Sequence, residues 1–116
     1  MAEMNAQETL DYIMNKTKVF FQDRVESFKV DKFMDSPWPE FGFTFRAYKK
    51  FDMRLGYDRG SYGFVICDGE YGYRIPSNVQ WYNNNENNNI DTLLRDTKRD
   101  LELRLPDEYL KENGWL

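Results

Sequence analysis

The stretch FGFTFRAYKKFDMRLGY, residues 41–57, decides the fold, because apolar side chains occupy alternate positions on both sides of a short polar interruption. Alternation with a period of two is the pattern of a half-buried β-strand. A three-residue loop, 48–50, would pair Phe45 with Met53 and collect the large apolar residues on one face. A two-residue turn would set Phe45 opposite Arg54 instead. The longer loop therefore predicts an antiparallel hairpin with one apolar face.

The same alternation resumes at residue 62 and predicts two more strands. A four-residue loop connects the second strand to the third and keeps the apolar residues on the same side. The turn signal Asp68-Gly69 connects the third strand to the fourth and sets Ile66 opposite Tyr71. The sequence thus predicts a four-stranded antiparallel meander.

A long amphipathic helix is predicted ahead of the sheet, over residues 5–28. Asn5 followed by Glu8 forms a capping box at its start. Its apolar stripe recurs at steps of three, four and seven and consists of Leu10, Ile13, Met14, Phe21, Val25 and Phe28. The following residues 30–40, VDKFMDSPWPE, hold two prolines around Trp38 and are predicted to form an extended connector.

Two further helices are predicted after the sheet. Residues 90–105 return to helical spacing behind the candidate N-cap Asn89. A shorter helix follows, with Pro106 at its first position and Gly114 just past its end. Trp115 and Leu116 are apolar enough that both are expected to pack on the core. The order α-β-β-β-β-α-α, with the helices on one sheet face, predicts an α+β two-layer fold in a single domain covering residues 1–116.

The composition removes most kinds of catalytic site. The chain of 116 residues has a formal net charge of −4, no histidine and one cysteine, Cys67. Without histidine there is no Ser-His or Cys-His nucleophile and no usual general base near neutral pH. One cysteine excludes a structural zinc site and an internal disulfide. The acidity opposes nucleic-acid binding. We therefore expect a non-enzymatic protein without cofactor or metal.

The first sixteen residues carry acids and lack the apolar segment of a signal peptide. No apolar run is long enough to span a bilayer, so no membrane partner is expected. With the single cysteine, these observations predict a cytoplasmic location.

Carboxylates and aromatics provide the first candidate surface. The predicted register places two acids on the outer sheet face, and two large aromatics stand at the entrance of an asparagine-rich segment, 83–89, that is interpreted as a spacer before a helix. The candidate partner-binding residues are Asp52, Glu70, Trp81, Tyr82 and Glu86. The same Asp52 and Glu70 would carry the chemistry if the protein were an enzyme using carboxylates alone.

Arginines provide an alternative. Arg46, Arg54 and Arg74 share the outer face with four glycines, where they could grip the phosphate of a small ligand or nucleotide. The glycines, Gly42, Gly56, Gly63 and Gly72, suggest close approach of another backbone or a strongly bent sheet. Arg46 and Asp52 are predicted cross-strand neighbours and should form a surface ion pair, which weighs against a catalytic role for Asp52.

Small size, acidity, an aromatic surplus and the lack of catalytic groups are typical of small neutralising proteins of bacteria and phages, such as immunity proteins paired with toxins. Those proteins share no motif, so no residue role transfers. The leading hypothesis is a protein-binding inhibitor that blocks one partner, for example a basic toxin or nuclease. The alternative partner is a second copy of the chain, paired through an edge of the sheet.

Overall fold

The structure is a computed structural model that describes residues 5–68, 71–74, 82–83 and 89–116. The helices are α1 (Ala6–Phe21), α2 (Asn89–Leu103) and α3 (Asp107–Glu112). The strands are β1 (Val25–Met34), β2 (Glu40–Ala47), β3 (Phe51–Asp58), β4 (Ser61–Asp68), β5 (Tyr71–Arg74) and β6 (Tyr82–Asn83). The predicted α+β fold, with an N-terminal helix, an antiparallel meander and two C-terminal helices, is confirmed.

The sheet has the order β1-β2-β3-β4-β5, and the short β6 also pairs with β4. The predicted pair of Phe45 with Met53 is confirmed. The predicted register of the second strand with the third is also confirmed, with Tyr57 opposite Tyr62, but the loop between them has two residues and not four, because Asp58 pairs with Ser61. The predicted register between β4 and β5 is wrong by two residues, since Ile66 pairs with Tyr73. A shift of two leaves the alternation unchanged, so the hydrophobic pattern could not distinguish the two registers.

The N-terminal helix is shorter than predicted, and the sheet gains an edge strand. Helix α1 ends at Phe21, where Gln22 has a left-handed φ of 53° and a single 3₁₀ turn follows. The chain then enters β1, which pairs antiparallel with β2. The predictions of helix up to Phe28 and of a connector from Val30 are therefore both wrong.

Two β-bulges in β1 explain the error. The pairing with β2 shifts once between Glu26 and Lys29 and again between Val30 and Lys32. An extra residue in a strand brings residues three apart back to one face, which is the spacing of a helix. Val25 and Phe28 consequently both pack against the core.

The hydrophobic core lies between one sheet face and the helices. Helix α1 begins at the predicted capping box, with Asn5 Oδ1 accepting from the Glu8 amide at 2.8 Å. The buried helix residues that meet the sheet include Leu10, Ile13, Phe21, Leu93, Leu94, Leu101 and Leu110. Gly114, at φ 75°, ends α3 and returns Trp115 to the core, while Leu116 stays 63% exposed. The prediction for Trp115 is confirmed and that for Leu116 is wrong, because the chain turns only one side chain inward.

Candidate functional site

The outer sheet face, opposite the helices, carries the predicted ion pair of Arg46 and Asp52. Arg46 Nη1 lies 3.2 Å from Asp52 Oδ1, across the pairing of β2 with β3. The side chains are 47% and 70% exposed, so the pair contributes under about 1 kcal/mol to stability. The Asp52 carboxylate remains largely accessible to a partner.

Arg54 reaches across the sheet to the edge strand. Its guanidinium donates from Nε to Asp31 Oδ2 at 2.8 Å and from Nη2 to Asp31 Oδ1 at 3.1 Å. Between them lies Gly42 of β2, where a Cβ would overlap the guanidinium. The close approach that Gly42 permits is thus that of an arginine of the same chain.

The three arginines of the alternative site are not equally available. Arg46 and Arg54 already hold carboxylates. The predicted register of β5 implied that Arg74 would pair with Gly63. The backbone of Arg74 pairs instead with Val65, which places it level with Arg54. The side chain of Arg74 lies outside the described part of the structure. A phosphate bound by Arg54 would have to compete with Asp31.

The partner-binding residues predicted from sequence do not form one described patch. Asp52 precedes Met53, which pairs with Ile66, whereas the backbone of Tyr82 pairs with Tyr62. Four residues of β4 separate those levels, or about 13 Å at the rise of a strand. Glu70, Trp81 and Glu86 lie outside the described residues, and so does the side chain of Tyr82.

An exposed aromatic site missed by the sequence analysis lies at the end of the sheet where β1 turns into β2. Trp38 is 38% exposed, and the Arg59 guanidinium lies 4.5 Å from its ring centroid. The Arg59 amide donates to the carbonyl of Pro39 at 3.0 Å, which ties this connection to the turn between β3 and β4. Arg59 Nε also donates to Asp58 at 2.9 Å.

The aromatic row of the core reaches the surface at the same end. Phe33 of β1 pairs with Phe41, whose ring stacks on Tyr57 with centroids 4.4 Å apart. Phe41 and Tyr57 are buried, but Phe33 is 44% exposed because the helices do not cover this part of β1. We call Phe33, Trp38 and Arg59 together the aromatic end.

Acidic groups flank the aromatic end. Asp35 is exposed in the connection after β1, and Asp58 is 46% exposed in its side chain at the end of β3. The two prolines around Trp38 predicted a connector but gave no sign that its ring would stay accessible. The contact of Trp38 with Arg59 also could not be predicted, because the two residues are 21 positions apart in the sequence.

A polar network joins the loop after β2 to helices α2 and α3. The buried Tyr48 hydroxyl donates to Glu102 at 2.6 Å, and the Tyr109 hydroxyl donates to the Tyr48 carbonyl at 2.7 Å. Burial, then the hydrogen bond and charge of Glu102, raise the pKa of the Tyr48 phenol. Lys98 and Arg24 lie 3.5 and 3.8 Å from the Glu102 carboxylate. The network holds the C-terminal helices in place.

A shallow groove of about 540 Å³ opens beside this network. Its lining residues are Phe20, Arg95, Lys98, Arg99 and Glu102. The sequence predicted the charges of α2 as a solvated face of ion pairs. It could not show that the end of α1 supplies an aromatic wall opposite them.

The described residues offer little for a reaction. Burial raises the pKa of the Cys67 thiol, although the nearby positive charge of Arg54 acts in the opposite direction. The raised pKa disfavours a thiolate nucleophile. Among these residues no group of three or more cysteine, aspartate or glutamate side chains is placed to hold a metal ion. In the same part of the chain, no helix has the length and apolar character that crossing a membrane requires.

Comparison with known proteins gives no match to a family model, to a curated protein or to a solved structure.

Proposed function

We propose that this protein is a non-enzymatic binding module that blocks one protein partner by covering its surface, as small neutralising and inhibitor proteins do. The observation that carries the proposal is the aromatic end. Tryptophan and arginine are the residues that most often dominate the energy of protein interfaces. Here Trp38 and Arg59 are stacked together and exposed at the surface.

The charge around the aromatic end supports a basic partner. Asp35 is exposed beside Trp38, Asp58 at the same end is paired with Arg59, and the whole chain carries a net charge of −4. Carboxylates at the rim of an apolar centre speed encounter with a positively charged surface and exclude acidic competitors. A basic toxin or nuclease fits that description.

Preorganisation also supports this surface. The bond from the Arg59 amide to Pro39 and the stacking on Trp38 hold both side chains before any partner arrives. Groups already fixed in the free protein lose less conformational entropy on binding. Two hydrogen bonds to Asp58, at 2.9 and 3.3 Å, also fix the Arg59 guanidinium, as two hydrogen bonds to Asp31 fix that of Arg54.

The test is affinity capture from a lysate of the host, comparing tagged wild type with Trp38→Ala/Arg59→Ala. We expect one stoichiometric protein with the wild type, and at least about tenfold less of it with the double variant, because hot-spot residues contribute about 2 kcal/mol or more. Arg104→Gln is the matched control, since it removes an exposed cation far along the chain from the aromatic end.

Two results would count against the proposal. Equal capture of the same protein by wild type and double variant would show that another surface binds it. Failure to capture any specific protein at both low and moderate salt would argue against the binding function itself. Circular dichroism of each variant checks that the fold is intact.

A further inference from the structure

The groove between the end of α1 and the second half of α2 concentrates positive charge on an acidic protein. Arg95, Lys98 and Arg99 line it, three and four residues apart, so they project from one helical face. The groove also contains Glu102, but that carboxylate accepts from Tyr48 and has both Lys98 and Arg24 nearby. The negative charge of Glu102 is thus already compensated by these groups of the protein itself.

The local charges do not cancel. The groove and its ion-pair partners hold four cations, Arg24, Arg95, Lys98 and Arg99, against two carboxylates, Asp96 and Glu102. Four minus two leaves an excess of two positive charges. This excess stands on a chain whose total charge is −4.

The arginines of the groove are only loosely held. Arg99 Nη2 lies 3.5 Å from Asp96, and the hydrogen bond that Arg95 makes within the described residues is the long one to Thr92 Oγ1 at 3.4 Å. Arg24 lies behind the groove and not in its lining, and its Nη2 donates to the Trp115 carbonyl at 3.2 Å. Compared with Arg54, which binds Asp31 at 2.8 Å, the guanidinium groups of Arg95 and Arg99 retain donors for a ligand.

The opposite wall is apolar. Phe20 is half-buried and packs edge-on against Phe21, with ring centroids 5.0 Å apart. A ligand in this groove would therefore meet cations on one side and an aromatic ring on the other. The volume of about 540 Å³ lies within the range of sites for small molecules.

We propose that this groove binds a small phosphate monoester carried on an apolar or aromatic body, with a mononucleotide as the representative compound. A phosphate dianion matches the excess of two positive charges. The planar guanidinium groups of Arg95 and Arg99 suit its oxygens in bidentate geometry. Phe20 contacts the body of the ligand. This site is separate from the aromatic end and independent of the proposed partner.

The test is titration calorimetry with AMP, adenosine and inorganic phosphate. We expect AMP to bind with saturation, with Kd of about 1 mM or below, as charged donors in an open groove allow. Inorganic phosphate should bind more weakly because it lacks contact with Phe20. Adenosine, which has no phosphate, should not bind detectably.

Variants locate the site. Arg95→Gln/Arg99→Gln should weaken AMP binding by at least about tenfold, because two charge-assisted contacts are lost. Phe20→Leu should weaken AMP more than inorganic phosphate. Arg104→Gln, the matched loss of an exposed cation on the chain just after α2, should leave the Kd of AMP unchanged.

The proposal is overturned if AMP shows no saturable binding up to about 10 mM, a ceiling well above the weakest useful affinity. It is also overturned if adenosine binds as tightly as AMP, or if the double arginine variant binds AMP as wild type does. Partner capture by Arg95→Gln/Arg99→Gln should equal that of wild type, so failure here leaves the binding module untouched.

Discussion

Tyr48 shows what one side chain contributes at the residue scale. It is fully buried and adopts a left-handed φ of 55°, and its hydroxyl donates a hydrogen bond to Glu102 at 2.6 Å. Its ring packs edge-on against Trp115 at 5.4 Å between centroids. The loop that the sequence predicted at residues 48–50 is therefore a packing element as well as a turn. Alternation alone could not reveal its partners, since Glu102 of α2 and Tyr109 of α3 lie more than fifty residues away.

Because of the phenol of Tyr48, the free energy of unfolding should depend on pH in the alkaline range. Burial and Glu102 raise its pKa in the folded chain above the ordinary value of 10.0. The folded chain thus keeps a proton that the unfolded chain releases, so this stabilisation is complete below pH 10 and is lost as the pH rises further. The loss should reach about 1.4 kcal/mol per pH unit above that point.

Tyr48→Phe tests this relation by urea denaturation between neutral pH and pH 11. At neutral pH the variant should be about 1 kcal/mol less stable, because a buried hydrogen bond is lost. Above pH 10 the difference should shrink, since the variant has no phenol at this position. Parallel pH curves for wild type and variant would contradict the assigned coupling.

Among the elements, β1 is the strand that the sequence pattern could not predict. Val25 and Phe28 lie three residues apart and continue the stripe of α1, so their spacing predicts more helix. In the structure the bulge at Ser27, with φ 62°, supplies the extra residue that keeps both side chains on the core side. A bulged strand and a helix can therefore present the same apolar spacing, and only the pairing with β2 separates them.

The other strands were predictable because their faces differ sharply. A one-residue error in β2 or β3 would bury charges, and in β4 it would turn the aromatic and aliphatic side chains Tyr62, Phe64 and Ile66 outward. The apolar alternation therefore set two of three registers correctly. The pairing of β4 with β5 was missed because its error of two residues preserves that alternation. The helix ends at Asn5 and Gly114 followed from capping chemistry, which is local in sequence.

The clamp of Arg54 on Asp31 links three strands, because it spans Gly42 of β2. Gly42→Ala should be neutral or destabilising by up to about 1 kcal/mol, since the new Cβ displaces the guanidinium and weakens a partly screened ion pair. In an Arg54→Ala background the same change should stabilise by roughly 0.5–1 kcal/mol, because alanine costs less conformational entropy than glycine.

Chemical denaturation of the four proteins in this double-mutant cycle gives the coupling directly. An equal effect of Gly42→Ala in both backgrounds would show that the ion pair of Arg54 with Asp31 does not require a glycine at position 42. The cycle also measures how firmly the clamp attaches the edge strand β1 to the sheet.

In the whole molecule, the two proposed binding surfaces use different elements of the described chain. The aromatic end combines β1, the connection to β2 and the turn after β3, while the basic groove combines α1 and α2. Neither was predicted, because each joins segments distant in sequence whose exposure depends on packing. From the sequence, the missing histidine, the acidity and the surplus of aromatics led to the hypothesis of a non-enzymatic binding protein, which stays a prediction.

The edge of the sheet bears on self-association. Strand β1 carries two bulges and the charged residues Glu26, Lys29, Asp31 and Lys32, and its Asp31 is held by Arg54. Bulges and charges on an edge strand oppose pairing with another strand. These features favour a different protein as partner over a second copy joined through β1.

The measurement that most directly tests the binding surface is hydrogen–deuterium exchange with and without the captured partner. We expect slower exchange of backbone amides at residues 33–40 and 58–61 in the complex, with α2 and α3 unchanged. Protection confined to α2 and α3, or to the end of the sheet at Arg46 and Asp52, would contradict it.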